Sequence, residues 1–368
     1  MKSKNISYLP AADHLRGFAS ILILVYHGVP MIANKLAFGE NVPPNYWARA
    51  GSPLSSIIIE GHTAVALFMV LSGFILTYGS IERDRDINYK SFLYNRILRI
   101  FPLFIFLIIC GSYLYPENFN FIGMIQSIFL FSSLPGALNI QSFSSMFWSI
   151  SVEFTFYLVF PFLFLFLKKE GFMKLLQLLI LMIIIRVIAF LLGANIRDVS
   201  YWTIIGRMDQ FIIGMIAAFV YVKWNINRSL WYYILFASIF LIIGMLYLFN
   251  IFGGWPIQAF WKILWPTIEG IVWSLLLISY VKLFNTNNNF IQKFLAKIGE
   301  LSYSIYLTHY IVLTVLVHRG WYFSFEFLSP LKNGILTSVL VLFPLVLATS
   351  ALIYSSIEKP FLQLRDRY

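Results

Sequence analysis

Arg16 and His27 stand eleven residues apart in the stretch LPAADHLRGFASILILVYHG, residues 9–28. On an α-helix eleven positions at about 100° each return to within about 20° of the starting direction, and at 1.5 Å per residue they cover about 16 Å. A guanidinium at the entrance of an apolar run and an imidazole deep inside it would therefore share one face. Imidazole takes up a proton near neutral pH, so His27 could serve as a general base, and that role fails once the ring is protonated. In YKSFLYNRILRIFP, Arg96 and Arg99 are three apart and hence neighbours on a helix. Guanidinium suits bidentate phosphate binding, although lipid headgroups would satisfy the same groups.

Three further stretches carry polar chemistry inside apolar runs. Glu153, in FWSISVEFTFYLVFP, lies about two turns into its segment with Trp148, Ser149 and Ser151 just before it. A carboxylate there must be paired, protonated or functional. Arg207 and Asp209 open GRMDQFIIGM, and His309 follows Tyr303 and Tyr306 in IGELSYSIYLTHYIVL. Each has a plain structural alternative. His27 and His309 could bond a neighbouring helix, Arg16 could snorkel to the interface, and Arg207 and Asp209 could pair with each other. Arg186 and Glu269 are best read as members of ion pairs between helices. His14, His62 and His318 receive no role.

The elements that would hold these residues follow from composition. The 368 residues are 60% hydrophobic and 12% charged, with a mean hydropathy of +0.79; soluble domains carry roughly a quarter charged residues. The pattern implies an all-α polytopic membrane protein. About ten spans are expected, near 16–31, 62–80, 98–115, 146–167, 174–192, 207–222, 229–249, 259–281, 302–318 and 335–357. No alternating ten-residue pattern suggests an outer-membrane barrel. The net charge of +11 comes from basic residues in short loops beside apolar runs, which is the positive-inside signature rather than a nucleic-acid footprint. It orients both termini toward the cytoplasm. The apolar segment 121–133 is too short to span and reads as re-entrant or interfacial on the outer side. Cys110 is the single cysteine, so no disulfide or thiolate cluster is expected, and the histidines and carboxylates do not fall into metal-ligand spacing. The N-terminus reads as an uncleaved first span, and residues 1–368 as a single membrane domain without internal repeats or a soluble C-terminal domain.

Taken together, HLRGFASILILVYH, ALFMVLSGFIL, the Arg96 and Arg99 pair leading into FP, WSISVEFTFYLVFP, RMDQFIIGM, LSYSIYLTHY and SSIEKPF resemble the acyltransferase-3 family of membrane O-acyltransferases. Two departures stand out. His14 occupies a position often held by glycine, and Phe154 replaces a second acidic residue after the one matching Glu153. The resemblance implies a bacterial inner-membrane enzyme without a bound cofactor, using cytoplasmic acetyl-CoA as donor. The acceptor would be a hydroxyl of a surface or lipid-linked glycan, such as an O-antigen, capsule or exopolysaccharide. It implies that Arg16, His27, Arg96 and Arg99 are required; with that, Arg16, Arg96 and Arg99 are expected to hold the donor phosphates and His27 to be base or transient acyl carrier. Glu153 joins His27 as a catalytic candidate. Trp148, Ser151, Arg207 and Asp209 are the acceptor-side candidates, with His309 and Tyr303 in support. Membrane lipids are the remaining partner. A transporter or flippase of an acyl group, succinate or glycan precursor would also fit intramembrane charges on ten helices.

Overall fold

Without water in the hydrocarbon region, backbone N–H and C=O groups must be satisfied inside helices or closed barrels. This chain uses helices. The computed structural model describes residues 8–366 apart from 44, 45, 84–86, 130, 133, 225, 226 and 287. Every regular element among them is helical. Nine of the described helices are long and apolar enough to cross a bilayer, and a bent pair makes up to ten. They are α1 (Pro10–Phe38), α2 (Ala64–Arg83), α3 (Tyr89–Leu114), α4 (Phe147–Glu170), α5 (Phe172–Leu191), α6 (Ile204–Lys223), α7 (Arg228–Ile251) and α8 (Trp265–Phe284). The bent pair is α9 (Phe290–Glu300) and α10 (Ser302–His318), and α11 runs over Pro330–Gln363.

The centre of the bundle is α2, 78% of whose apolar window is buried, whereas α5 with 11% buried lies at the periphery. Small residues permit the closest crossings. A Cβ on Gly73 would lie 2.1 Å from the carbonyl oxygen of Phe211, and one on Gly214 2.2 Å from that of Val70, so α2 and α6 touch backbone to backbone. The same device seats α9 on α1. A Cβ on Gly17 would lie 2.2 Å from the Leu295 carbonyl oxygen, and one on Gly299 2.0 Å from that of Asp13.

The expected spans are found with shifted ends. The first helix runs on to Phe38 through Pro30, and the third begins at Tyr89 with Asn88 as its N-cap, so Arg96 and Arg99 lie well inside it. The eighth span starts at Trp265 instead of residue 259, because Pro266 sits at the head of α8 and a separate short turn, Phe260–Ile263, precedes it. The polar connection between the spans expected at 259–281 and 302–318 contains the helix α9, which meets α10 at 74°. Between residues 121 and 133 only Phe121–Ile128 is helical among the described residues, and Ser133 lies outside them. Its Gly123 packs against the backbone of Gly136 and Leu138 while Phe121 and Ile122 stay exposed, as suits an interfacial segment. Within α11 two wider turns occur, at Ser338–Leu342 and Tyr354–Glu358.

Candidate active site

A cavity of about 510 Å³ opens among α1, α2, α3, α4, α9, α10 and the end of α11. Its walls bring together Arg16, Arg96, Arg99, Glu153 and Tyr303, five of the residues singled out from sequence. Arg16 donates from Nη1 to Asp13 Oδ1 at 3.0 Å. The Arg96 guanidinium lies over the rings of Phe92 and Tyr157, 5.3 and 5.4 Å from their centroids. Arg99 faces Glu358 Oε2 at 3.4 Å and the Tyr303 ring at 5.4 Å. The Tyr303 hydroxyl donates to the Ile100 carbonyl at 2.7 Å, which fixes that ring beside the guanidinium. Glu153 accepts from Ser72 Oγ at 3.0 Å and from the Tyr157 hydroxyl. Glu153, expected as a catalytic candidate, therefore shares a cavity with the three arginines. Ser149 and Tyr306 line it as well.

His27 is not part of that wall. Its ring is half-buried and pairs with His309, whose Nε2 lies 3.0 Å from His27 Nδ1. Each Nδ1 also faces a carbonyl oxygen one turn back, Ile23 at 3.1 Å and Ile305 at 3.0 Å. Carbonyl oxygens only accept, so His309 Nδ1 carries its proton and, in the neutral pair, His309 Nε2 is the acceptor. His27 Nδ1 must then donate, and the lone pair of His27 rests on Nε2. Tyr306 connects the two regions, lining the cavity while its ring lies 5.9 Å from His309. The shared face of α1 expected for Arg16 and His27 does not bring both to one cavity: Arg16 lines it, whereas His27 stands outside it against His309.

The pairing of Arg207 with Asp209, raised above as the structural alternative, is replaced by a crossed one. Residues two apart on a helix point to different faces. Asp209 turns toward α5, accepting from Arg186 Nη2 at 2.5 Å and from the Thr267 hydroxyl. Arg207 turns toward α8, with Nη1 at 3.5 Å from Glu269 Oε2 and its guanidinium stacked 4.2 Å from the Tyr201 ring centroid. All four charged side chains are buried. Of the remaining acceptor-side candidates, Trp148 packs against Tyr201 and Trp202, and Ser151 accepts from the Ser132 N–H at 3.1 Å while donating to the Phe147 carbonyl. These four residues support the walls and do not line the cavity.

One buried polar cluster was not anticipated. Glu60 accepts from Trp47 Nε1 at 2.7 Å and Asn250 Nδ2 at 2.6 Å, and its other oxygen lies 3.1 Å from His62 Nε2. His62 is ringed by Tyr26, Tyr201 and Phe249. The signal was the Glu-Gly-His spacing at the head of the second apolar run. It ties the 46–50 segment and α7 to the start of α2.

Comparison with known proteins agrees with these features. The family described as an acyltransferase domain matches residues 9–355. Acyltransferase MdmB of Streptomyces mycarofaciens is 31% identical over 162 residues, 42% of this chain and 38% of that protein. Peptidoglycan O-acetyltransferase OatA of Listeria monocytogenes is 26% identical over 245 residues, 60% of this chain and 35% of its own. O-acetyltransferase OatA of Staphylococcus aureus is 27% identical over 338 residues, 82% of this chain and 50% of its own. The chain thus spans half or less of the length of these three relatives. No solved structure matches it.

Proposed function

The chain belongs to the acyltransferase-3 family of membrane O-acyltransferases, and from that premise we propose that it moves an acetyl group from cytoplasmic acetyl-CoA to a hydroxyl of an extracytoplasmic envelope glycan in a bacterial inner membrane. The observation that carries this reading is the meeting of Arg16 with Arg96 and Arg99 in one cavity that also holds Glu153. Three guanidiniums from two helices form a receptor for a diphosphate, a geometry that separate lipid contacts would not require.

Chemically, the thioester C–S bond breaks and an ester C–O bond forms, while the acceptor hydroxyl proton must end on the departing CoA sulfur. His27 Nε2 is the base that relays this proton, or the atom that carries the acetyl group between donor and acceptor. His309 holds the ring in the required tautomer. The thioester reaches His27 when Tyr306 yields. The buried Arg186–Asp209 and Arg207–Glu269 pairs are assigned to holding α5, α6 and α8 together rather than to binding sugar.

Purified protein is reconstituted with acetyl-labelled CoA and purified envelope glycans, peptidoglycan fragments and O-antigen among them, and ester formation is followed by mass. Transfer of label to sugar, abolished by His27→Ala with the melting profile preserved, is expected. Label that crosses the vesicle membrane without an ester would favour the transporter alternative.

A further inference from the structure

The cavity holds more cations than a diphosphate needs. Besides the three arginines and Arg365 just beyond α11, Lys293 and Lys297 of α9 line it. Their spacing of four residues sets both on one face of that helix. Capping by Asn289 and Gln292 starts the helix, and the Gly17 and Gly299 crossings lock it against α1, so the two ammonium groups are held at the cavity instead of trailing in a loop. A gradient of exposure separates the two sets. The Lys297 side chain is 69% exposed and pairs with Glu300 at 3.0 Å, whereas Arg16 and Arg99 are 33% and 24% exposed. The lysines therefore mark the mouth and the arginines the interior.

A coenzyme A thioester has the matching charge order: thiol arm, diphosphate, then a ribose 3′-phosphate at the far end. We propose that Lys293 and Lys297 form a separate subsite for that terminal 3′-phosphate, making the enzyme discriminate between coenzyme A thioesters and their 3′-dephospho forms. The inference rests on the donor named above. Compact ammonium groups suit a terminal monoester dianion, while the interior guanidiniums suit the bridging diphosphate. The Lys297–Glu300 contact is exchanged for one to phosphate when donor binds.

The test compares acetyl-CoA with 3′-dephospho-acetyl-CoA in phosphatidylcholine vesicles, which offer no anionic headgroup to compete. The unaltered chain should prefer acetyl-CoA about tenfold in kcat/KM, through KM. In Lys293→Ala/Lys297→Ala the preference should fall below about twofold because the acetyl-CoA KM rises while the dephospho form is used as before. Lys293→Arg/Lys297→Arg should keep most of it. Equal use of both thioesters by the unaltered chain, or a preference that survives the double alanine variant, would overturn the lysine subsite and leave the donor assignment standing. Turnover of neither thioester would overturn the donor assignment and the subsite with it.

Discussion

The crossed ion pairs give a sharp test of what Asp209 does. Asp209 and Arg186 are each 0% exposed, and the pair is knotted by Thr267, whose hydroxyl bonds Asp209 and accepts from Arg186 Nη2 at 3.2 Å. Arg186 Nη1 also donates to the Gly206 carbonyl at 3.1 Å. Removing one partner leaves the other charge in a dry interior, which costs about 3–5 kcal/mol. Asp209→Ala and Arg186→Met should each lower the melting midpoint in detergent, measured at one scan rate because unfolding of such proteins is a rate-governed event. The double replacement is the informative one. Arg186 Nε and Asp209 Oδ1 have no hydrogen-bond partner among the described residues, so the pair recovers less than its full desolvation cost. Arg186→Met/Asp209→Leu should therefore regain most of the lost stability, within about 1–2 kcal/mol of the parent. Acetyl transfer should return with it. A double variant that melts like the parent yet transfers nothing would refute the structural assignment and return Asp209 to the substrate.

Three further outcomes follow from other parts of the molecule. His309→Phe removes the acceptor opposite His27 Nδ1, leaving Ile23 as the sole acceptor for that proton, and should lower kcat roughly five- to tenfold with the donor KM unchanged; an unchanged kcat would dismiss the paired-imidazole argument. Gly17→Val should dislodge α9 from α1, since its Cβ meets backbone at 2.2 Å, lowering melting and raising the donor KM together; wild-type behaviour in both would show that the crossing is loose. Lys262, buried with its ammonium donating to the carbonyls of Gly254 and Trp255 at 2.9 and 2.6 Å, has its pKa pushed down to about 8 by burial and then by Arg197. The unfolded chain holds this proton to higher pH, so stability should rise between about pH 8 and 10. A parallel melting series on Lys262→Gln should lack that component, and identical slopes would exclude it.

Local rules made much of the arrangement readable. The three-residue spacing of Arg96 and Arg99 states that they are neighbours whatever surrounds α3, and the apolar runs locate the crossings. Asn289 and Gln292 in the polar connection carried a legible capping signal for α9, masked by the apolar-run criterion because lysines interrupt the pattern. What stayed hidden depends on which helices meet. The meeting of Glu153 with Arg16, Arg96 and Arg99 could not be read from its place in α4, which says nothing of the shared wall, and Arg186 gave no hint that its partner lay on α6 rather than α8. The divergence of Arg207 from Asp209, by contrast, was already contained in their two-residue separation.

The two wide turns of α11 work like a vernier. A π-type turn holds about one residue more than an α-turn, and one residue is worth about 100° of azimuth. Ser338, in the first wide turn, abuts Gly28 of α1, and Glu358, in the second, reaches Arg99 of α3. A continuous α-helix could satisfy one of these bearings and miss the other. Excising one residue within Tyr354–Glu358 would leave the Gly28 docking in register while swinging everything C-terminal by about a quarter turn, so the distal end can be rephased without touching the proximal one.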